Sequence, residues 1–310
     1  IFFKKVSIYI ETFFCFNKSE LHKTNRITQL KKNNKLIKSV AIQGIKGSFH
    51  HIVSQNYFQT NVSIVPFLSC DQTVESVLNK QTDAAIMAIE NSIAGSIIPN
   101  YALIDTNNLH VVGEYYLDIH HNLMALPNQK IEDITEVYSH PMALLQCKAF
   151  FKQYPHIKLI EDKDTAEVAE RIHNKQLKNT GAIASTLAAQ IFELDILAKS
   201  IQTIKHNETR FVIVKQDNSE IAEAEINKAS IKFELDHKRG SLATILNVMS
   251  DCKLNLTKIQ SLPIIETPWK YAFFVDVTFQ DYQDFKKAKS IMDIMATHFK
   301  VIGQYKNAKI

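Results

Sequence analysis

Short apolar runs alternate with helix-forming stretches along most of the chain from Val40 onward. The run at 84–89 has the length of a strand and contains no polar residue, which is typical of a strand that is buried on both faces. The stretch at 71–79 carries Val74, Val77 and Leu78 on one helical face. Strands and helices that alternate at this spacing predict βαβ units and a mainly parallel sheet, so the fold class is α/β.

Two consecutive predicted strands interrupt this alternation. Residues 111–116 and 122–126 have strand character with no helix between them, which fits a crossing from one lobe to another. Residues 210–214 form a last strand that we expect to return to the first lobe. The expected α/β region therefore spans 39–215, with lobe 1 at about 39–115 and 205–215 and lobe 2 at about 116–204.

A separate pattern follows a polar, acidic segment at 216–228 that has the composition of a linker. Strands and helices then succeed one another in the order βαββαβ within about 80 residues, which is typical of a small ferredoxin-like unit. We therefore predict a second domain at 229–310.

The first 38 residues differ in charge from the rest of the chain. They hold nine Lys or Arg and two acidic residues, whereas 39–310 hold 27 basic and 30 acidic residues. We expect residues 1–38 to be a disordered basic leader outside the fold. The remaining chain is mildly acidic, so we do not expect a nucleic-acid partner.

Composition favours a cytoplasmic protein with no membrane partner. No apolar run approaches the roughly 18 residues that a membrane span needs. The four cysteines lie far apart and form no CxxC pair, which suits a reducing compartment better than a disulfide frame or a zinc site. The pairs His50-His51 and His120-His121 are adjacent, and adjacent side chains diverge, so no metal site is predicted.

Four predicted strands end in small or polar residues at the start of a helix, at 44–48, 90–92, 139–140 and 185–186. Ligands of open α/β sheets bind beyond the carboxyl ends of strands, and the helix N-termini at this edge attract anions. Two clusters fall in each lobe, so we expect an anionic small molecule between the lobes. Ser and Asn are also common helix caps, so any one cluster can be purely structural.

Five ordered blocks of sequence resemble the prephenate dehydratase family. They are VAIQGIKGSF, AAIMAIENSIAGS, VYSHPMALLQC, GAIASTLAAQIFEL and the NETRF segment at 207–211, which is similar to the family's Thr-Arg-Phe signature. The later stretches HKRGSLATIL and KIQSLPIIETPWKY resemble the regulatory ACT domain that is fused to many of these enzymes. The resemblance covers about residues 39–305.

This resemblance implies a lyase with a two-lobed, periplasmic-binding-protein-like catalytic region and a ferredoxin-like ACT domain. Such an enzyme converts prephenate to phenylpyruvate, carbon dioxide and water in phenylalanine biosynthesis, and L-phenylalanine inhibits it. The ring becomes aromatic, so no cofactor is expected. Paired ACT domains imply a homodimer or homotetramer. Two alternatives stay open: an arogenate dehydratase, whose substrate carries an amino group, and an inactive phenylalanine-binding sensor.

The resemblance also assigns roles to residues. Thr209 is expected to donate a hydrogen bond to the departing hydroxyl, and Asn91, Ser139 and Gln146 are expected to share in catalysis. Arg210 is expected to bind a substrate carboxylate, with an ion pair to Glu90 or another acid as the alternative. The other expected substrate contacts are Glu90, Ser48, Ser185 and Phe211, the last of which can equally be a core residue.

The ACT blocks assign the regulatory contacts to Gly240, Ser241, Leu242, Gln260, Ser261, Leu262 and Pro263. The family often has Glu-Ser-Arg-Pro where this chain has QSLP, so Leu262 replaces an arginine and the strength of phenylalanine inhibition stays open. Met142 stands where family members often carry Gln, so part of the usual polar network is expected to be missing.

Overall fold

The computed structural model describes residues 37–59, 62–218, 221–236, 238–264, 267 and 270–309. The described residues from Lys38 onward belong to one compact unit, Lys38–Ile310. The predicted basic leader lies outside the described residues except at its last two positions. Within the described part of the chain, no helix is both long and apolar enough to cross a membrane.

The first lobe alternates strands and helices as the sequence predicts. Its elements are β1 (Ser39–Gln43), α1 (Phe49–Phe58), β2 (Ser63–Phe67), α2 (Cys70–Leu78), β3 (Ala84–Asn91), β4 (Gly95–Ser96), α3 (Ile98–Thr106) and β5 (His110–Asp118). Strand β3 runs two residues beyond the predicted apolar run and so carries Asn91. Helix α2 is capped by Ser69, which accepts a hydrogen bond from Gln72 N.

The second lobe follows a short crossing at 119–121. Its elements are β6 (Asn122–Ala125), a 3₁₀ turn (Ile131–Asp133), β7 (Glu136–Ser139), α4 (Pro141–Phe151), β8 (Lys158–Glu161), α5 (Thr165–Lys175), β9 (Thr180–Ala184), α6 (Thr186–Ile191) and β10 (Asp195–Ala198). The chain then returns to the first lobe as β11 (Glu208–Lys215). Sequence patterns missed β10, a four-residue strand at the sheet edge.

Each lobe is built on three parallel strands to which antiparallel strands are added. Strands β2, β1 and β3 are parallel, and β11 pairs antiparallel with both β3 and β5. In the second lobe β8, β7 and β9 are parallel, β6 pairs antiparallel with β9, and β10 pairs antiparallel with β6. The sheets are therefore mixed rather than mainly parallel, because the chain crosses between the lobes through strands without intervening helices.

The C-terminal part has the predicted βαββαβ order. Its elements are β12 (Lys228–Glu234), α7 (Ser241–Asp251), β13 (Asn255–Pro263), β14 (Tyr271–Thr278), α8 (Tyr282–Met295) and β15 (His298–Tyr305). Its sheet has the strand order β13-β14-β12-β15. The predicted fold class, two α/β lobes in the manner of periplasmic binding proteins plus a ferredoxin-like unit, is confirmed.

The C-terminal domain shares a sheet and a core with the first lobe. Strand β15 pairs with β5 where Gly303 lies opposite Val111, and a Cβ atom at 303 would clash with the Val111 carbonyl oxygen. On the covered face, Tyr101 of α3 packs edge-on against Phe274 of β14, with ring centroids 5.6 Å apart. Strand β11, which ends the catalytic region in the predicted scheme, therefore lies two strands from the C-terminal domain.

Candidate active site

A cavity of about 440 Å³ lies between the two lobes. Its walls include Ser48, Asn91 and Thr209 from the first lobe and Met142 and Gln146 from the second. The volume suits a small ligand. Five of the expected site residues line this cavity: Thr209, Asn91, Gln146, Ser48 and Phe211.

Thr209 is placed by strand β11, which lies between β3 and β5. Successive side chains of a strand point to opposite faces. Thr209 and Phe211 face the cavity, so Arg210 between them faces the other side. Thr209 is almost fully buried and lies opposite Asn91 in the strand register.

Asn91 is fixed on both sides of its amide. Its Oδ1 accepts hydrogen bonds from the backbone N–H groups of Ile93 (3.0 Å) and Ala94 (2.9 Å). Its Nδ2 donates to Thr209 Oγ1 at 2.9 Å and to Asn207 Oδ1 at 2.7 Å. The Thr209 oxygen thus receives a hydrogen bond from Asn91, which leaves the threonine's own hydrogen available for another acceptor.

Three helices start at the cavity. Their N-cap residues, Ser48 of α1, His140 of α4 and Asp164 of α5, all line it. Unpaired N–H groups and the positive dipole end make helix N-termini favourable for anions. Ser48 and His140 belong to the predicted polar clusters at strand ends, whereas Asp164 belongs to none of them and caps its own helix by accepting from Ala166 N and Glu167 N.

Side-chain charge in the cavity is sparse. Among the described residues, Lys163 is the only lysine or arginine that lines the cavity. Burial lowers the pKa of His50 and of His121 to about 4, so both rings are neutral near pH 7. Burial also raises the pKa of Asp164 above its usual value. Within the described ranges, no three His, Cys, Asp or Glu side chains converge as metal ligands.

Arg210 does not reach the cavity, so its expected role as a carboxylate ligand is wrong. Its Nε donates to Glu114 Oε2 at 2.7 Å, its Nη2 to the Tyr305 hydroxyl at 2.9 Å, and its Nη1 to Asp276. Lys228 Nζ also bonds Glu114, at 2.8 Å. These four charged residues, Arg210, Glu114, Lys228 and Asp276, form a buried ion cluster between the first lobe and the C-terminal domain.

Glu90 also lies outside the cavity lining, which corrects its expected contact with substrate. It follows the same alternation as Arg210 and faces the C-terminal domain, where its Oε1 accepts a hydrogen bond from Lys258 Nζ at 2.6 Å. The weighed alternative, an ion pair between Arg210 and an acid, is the arrangement found, but the acids are Glu114 and Asp276.

Ser139 and Ser185 hydrogen-bond to backbone groups and lie outside the cavity lining, which corrects the expected part of Ser139 in catalysis and the expected contact of Ser185 with substrate. Ser139 Oγ donates to the Ile183 carbonyl at 2.7 Å and is fully buried, because Ser139 is the last residue of strand β7, which lies between β9 and β8. Ser185 Oγ donates to the Gly47 carbonyl at 2.6 Å and accepts from Ala188 N at 3.0 Å. The Ser185–Gly47 bond ties the two lobes together beside the cavity.

The sequence interpretation missed two residues of the cavity lining, His121 and Lys163, and one buried neighbour of that lining, Asn207. Asn207 was visible as the first residue of the NETRF block, and it bonds both Asn91 and Gln146. His121 was considered only as a metal ligand. The divergence of adjacent side chains buries His121 and leaves His120 exposed. Lys163 had no signal beyond its place directly before the cap Asp164.

A second, smaller cavity of about 140 Å³ lies in the C-terminal domain. It is lined by Ser241 and Leu242 at the start of α7, with Lys238, Tyr271 and Phe273 among their neighbours. Of the expected regulatory residues, Gly240 is the N-cap of α7 and has a positive φ of 84°. The segment Gln260, Ser261, Leu262 and Pro263 belongs to β13 and lies outside this lining.

Comparison with known proteins agrees with these features. Residues 40–219 match the family model described as prephenate dehydratase. A bifunctional chorismate mutase/prephenate dehydratase of Buchnera aphidicola subsp. Schizaphis graminum is 32% identical over 79% of this chain. The arogenate dehydratase/prephenate dehydratase 2 of Arabidopsis thaliana is 33% identical over 91% of this chain and 76% of its own length.

The chain spans 64% of the length of the Buchnera relative. A solved structure, the prephenate dehydratase of Arthrobacter aurescens in complex with L-Phe, superposes with a TM-score of 0.76 at 23% identity, over 87% of this chain and 90% of that one. At this identity the likeness establishes the fold.

Proposed function

Since the chain belongs to the prephenate dehydratase family, we propose that it converts prephenate to phenylpyruvate in phenylalanine biosynthesis. The observation that carries the proposal is the pair Asn91–Thr209 at the interlobe cavity. Asn91 Nδ2 donates to Thr209 Oγ1 at 2.9 Å, so the threonine hydrogen is free to bond a group inside the cavity. Three helix N-termini around the same cavity suit a substrate with two carboxylates.

The reaction makes one ring aromatic. The bond between the ring carbon and its carboxylate breaks and releases carbon dioxide, and the electron pair enters the ring. The C–O bond at the opposite ring carbon then breaks with its electron pair on oxygen, and one proton from solvent completes water. Thr209 supplies a hydrogen bond to that oxygen as negative charge develops on it. A threonine hydroxyl is a weak acid, so the proposed role is charge stabilisation rather than full proton transfer.

The rest of the cavity has a role in binding. The substrate carboxylates are proposed to lie near Ser48 and the N-terminus of α1, and near Lys163. Phe211 and Phe49 offer apolar surface to the ring. The rings of His50 and His121 are neutral, so they offer no ionic attraction to the substrate carboxylates. Asn91 and Gln146 are proposed to act by keeping the Thr209 hydroxyl oriented toward the substrate.

The test compares Thr209→Val with Thr209→Ser. Valine keeps the β-branched shape that suits a buried strand, whereas serine keeps the hydroxyl. We expect Thr209→Val to lower the rate of phenylpyruvate formation at least about a hundredfold, and Thr209→Ser to retain most of it. Unchanged urea unfolding of both variants is the control for folding. A rate near that of the parent protein for Thr209→Val would remove Thr209 from the mechanism.

Parallel assays with prephenate and arogenate address the alternatives. The two substrates differ by an amino group on the side chain, so the paired assays decide between them directly. Turnover of arogenate only would identify an arogenate dehydratase. Turnover of neither, combined with binding of phenylalanine, would identify an inactive sensor.

We also propose that the C-terminal domain is an ACT domain that binds L-phenylalanine and inhibits the enzyme. The small cavity at Ser241 and Leu242 supports this, as does the L-Phe complex of the Arthrobacter protein. Phenylalanine at millimolar concentration should lower activity and raise the Tm, because a ligand that binds only the folded state adds stability. If neither changes, the replacement of the family's arginine by Leu262 is the first explanation to test.

Pairing of two copies is part of this proposal. Strand β13 is the outer strand of the domain's sheet, and Leu256 and Ile259 on it are partly exposed. An open edge of this kind can pair with a second copy. The proposed enzyme is a cytoplasmic homodimer or homotetramer, and sedimentation of the purified protein measures its size.

A further inference from the structure

We propose that His121 and Asn207 are positioning residues, which orient the Thr209 hydroxyl through a chain of side-chain hydrogen bonds. The chain runs His121–Gln146–Asn207–Asn91–Thr209 and is called the hydrogen-bond chain below. This inference rests on the proposed function only where it concerns catalysis. Its structural part, the direction of each hydrogen bond, can be tested independently of any substrate.

The direction is set at Asn91. Its Oδ1 accepts from two backbone N–H groups, those of Ile93 and Ala94. A backbone N–H can only donate, so the oxygen of this amide must face the loop and its NH₂ must face the cavity. Asn91 therefore donates to Thr209 Oγ1 and also to Asn207 Oδ1, and neither bond can be reversed.

The hydrogen-bond directions at Asn207 and at Gln146 of the second lobe follow from the same donor and acceptor rules. Asn207 is fully buried, and its Oδ1 is occupied by the Asn91 donor. Its Nδ2 therefore donates to Gln146 Oε1, at 2.8 Å. Gln146 Oε1 also lies 2.9 Å from His121 Nε2. Since this oxygen can only accept, His121 must carry its proton on Nε2.

The opposite nitrogen of His121 is then unprotonated. His121 Nδ1 is buried and has no hydrogen-bond partner among the described residues. Burial favours the neutral ring, and the nearby His120 and His140 act in the same direction on its pKa. The two ends of the hydrogen-bond chain thus differ in character. One presents a hydroxyl hydrogen, and the other presents a lone pair.

The hydrogen-bond chain also spans the lobes. Asn91 and Thr209 belong to the first lobe, Gln146 lies on α4 of the second, and His121 and Asn207 lie on the two segments that connect the lobes. Contact between the lobes therefore fixes the amide of Asn207, and with it the second acceptor of the Asn91 NH₂ group that bonds Thr209. Separation of the lobes would break the bond between Asn207 and Gln146 and release the amide of Asn207.

The first measurement is the tautomer of His121, from long-range ¹H–¹⁵N correlation spectra of the full chain labelled at histidine. His120→Gln, at the exposed neighbouring position, assists assignment and serves as the matched control for activity. We expect the Nε2–H tautomer in the unmodified protein. The Nδ1–H tautomer would overturn the proposal without the need for any variant.

The second measurement uses Asn207→Asp, which keeps the shape and the acceptor for Asn91. Its other carboxylate oxygen would face Gln146 Oε1, so the Gln146 amide should turn and donate to it. His121 Nε2 would then face an NH₂ group and should become an acceptor, with the proton on Nδ1. We expect this change of tautomer together with a fall in kcat of roughly tenfold or more and a smaller change in KM. An unchanged tautomer and unchanged kcat in Asn207→Asp would overturn the proposal.

The third measurement separates a positioning role of His121 from simple packing. Glutamine at 121 can place an N–H near the position of Nε2, whereas leucine cannot donate. We expect His121→Gln to retain kcat within about threefold and His121→Leu to lose roughly tenfold. Equal losses in both variants would refute positioning by His121. If the tautomer switches as expected but no form of the protein turns over prephenate, the hydrogen-bond chain stands and the proposed function fails.

Discussion

Replacement of Arg210 by methionine tests whether this arginine holds the domains together or binds substrate. Methionine keeps an apolar stem of similar length but removes the guanidinium from the buried ion cluster. Arg210, Glu114 and Asp276 are each at most 5% exposed. Removal of one partner from a buried ion pair costs about 3–5 kcal/mol, because the other charge is left without compensation. That is a large part of the roughly 5–15 kcal/mol that stabilises a typical domain.

Most of the stability lost in Arg210→Met should come from the uncompensated charge of Asp276. Glu114 keeps Lys228 as a partner, whereas Asp276 keeps Ser230 as its one side-chain hydrogen-bond donor among the described residues. The additional change Asp276→Asn removes the stranded charge. We therefore expect the double variant to be less destabilised than the sum of the two single variants, by an interaction energy of about 1–3 kcal/mol.

The contribution of Asp276 to stability should change with pH in opposite directions in the parent protein and in Arg210→Met. Burial would raise the pKa of Asp276, but Arg210 beside it outweighs burial and holds the pKa below its usual value. In the parent protein this carboxylate contributes stability above the pKa of the unfolded chain, and the contribution is lost as the pH falls through the folded pKa. In Arg210→Met, Asp276 stays buried without the guanidinium, so its pKa should be raised. The difference in the free energy of unfolding between the variant and the parent protein should therefore become smaller as the pH falls.

Urea unfolding at pH 7 and pH 5 measures both effects, with steady-state kinetics on the same samples. Thermal unfolding of the same samples should show a Tm decrease of roughly 6–20 °C for Arg210→Met. The control is Lys286→Met, since Lys286 and Glu223 are about half exposed and such surface pairs contribute less than about 1 kcal/mol. A large increase in KM for Arg210→Met with unchanged unfolding would show that Arg210 binds substrate and would refute the role assigned to the buried ion cluster.

Two further predictions concern the rim of the cavity and the contact between the lobes beside it. Lys163→Gln should raise the KM for a dianionic substrate by up to about tenfold with little change in kcat, since Lys163 is exposed at the rim of the cavity. The KM of the parent protein should rise with salt concentration, and a KM that stays the same across salt concentrations would contradict this role of Lys163. Gly47→Ala should weaken contact between the lobes and lower kcat, because Gly47 has a φ of 92° and a Cβ atom there would lie 2.9 Å from Ala188 Cα; normal kcat in Gly47→Ala would show that this contact is dispensable.

Local sequence signals predicted the parts of the fold that depend on local physics. The apolar run of β3, the cap Asp164 and the helix starts at Ser48 and Ser185 follow from hydrophobic pattern and capping preference. The meeting of Asn91 with Thr209 required long-range strand pairing, and it was predicted only through the resemblance to a family. No local pattern could reveal it, because the two residues are 118 positions apart in sequence.

The roles assigned to Arg210 and Glu90 were wrong for a reason that the sequence itself contains. A strand that presents Thr209 and Phe211 to one face must present Arg210 to the other. The identity of its partners was not readable, since Asp276 and Tyr305 reach it only after the C-terminal domain has packed on the first lobe. The hydroxyl of Ser139 was misassigned because a strand-end serine can bond either a ligand or a neighbouring backbone carbonyl.

Strand β11 therefore connects two environments through adjacent residues. Thr209 enters the cavity and is oriented by the hydrogen-bond chain, whereas Arg210 is held from behind by Glu114 of β5 and Asp276 of β14. A ligand of the C-terminal domain that displaced β14 would act on Arg210 through a buried ion pair, and a strand transmits such a shift to the next residue through the backbone. Because a hydrogen bond weakens steeply when its geometry is disturbed, a small displacement of β11 would suffice to loosen the bond between Asn91 and Thr209.

The double variant Arg210→Met/Asp276→Asn separates the two environments. If it folds and turns over substrate, phenylalanine should still bind, but it should no longer inhibit; full inhibition in this variant would show that regulation reaches the cavity by another route.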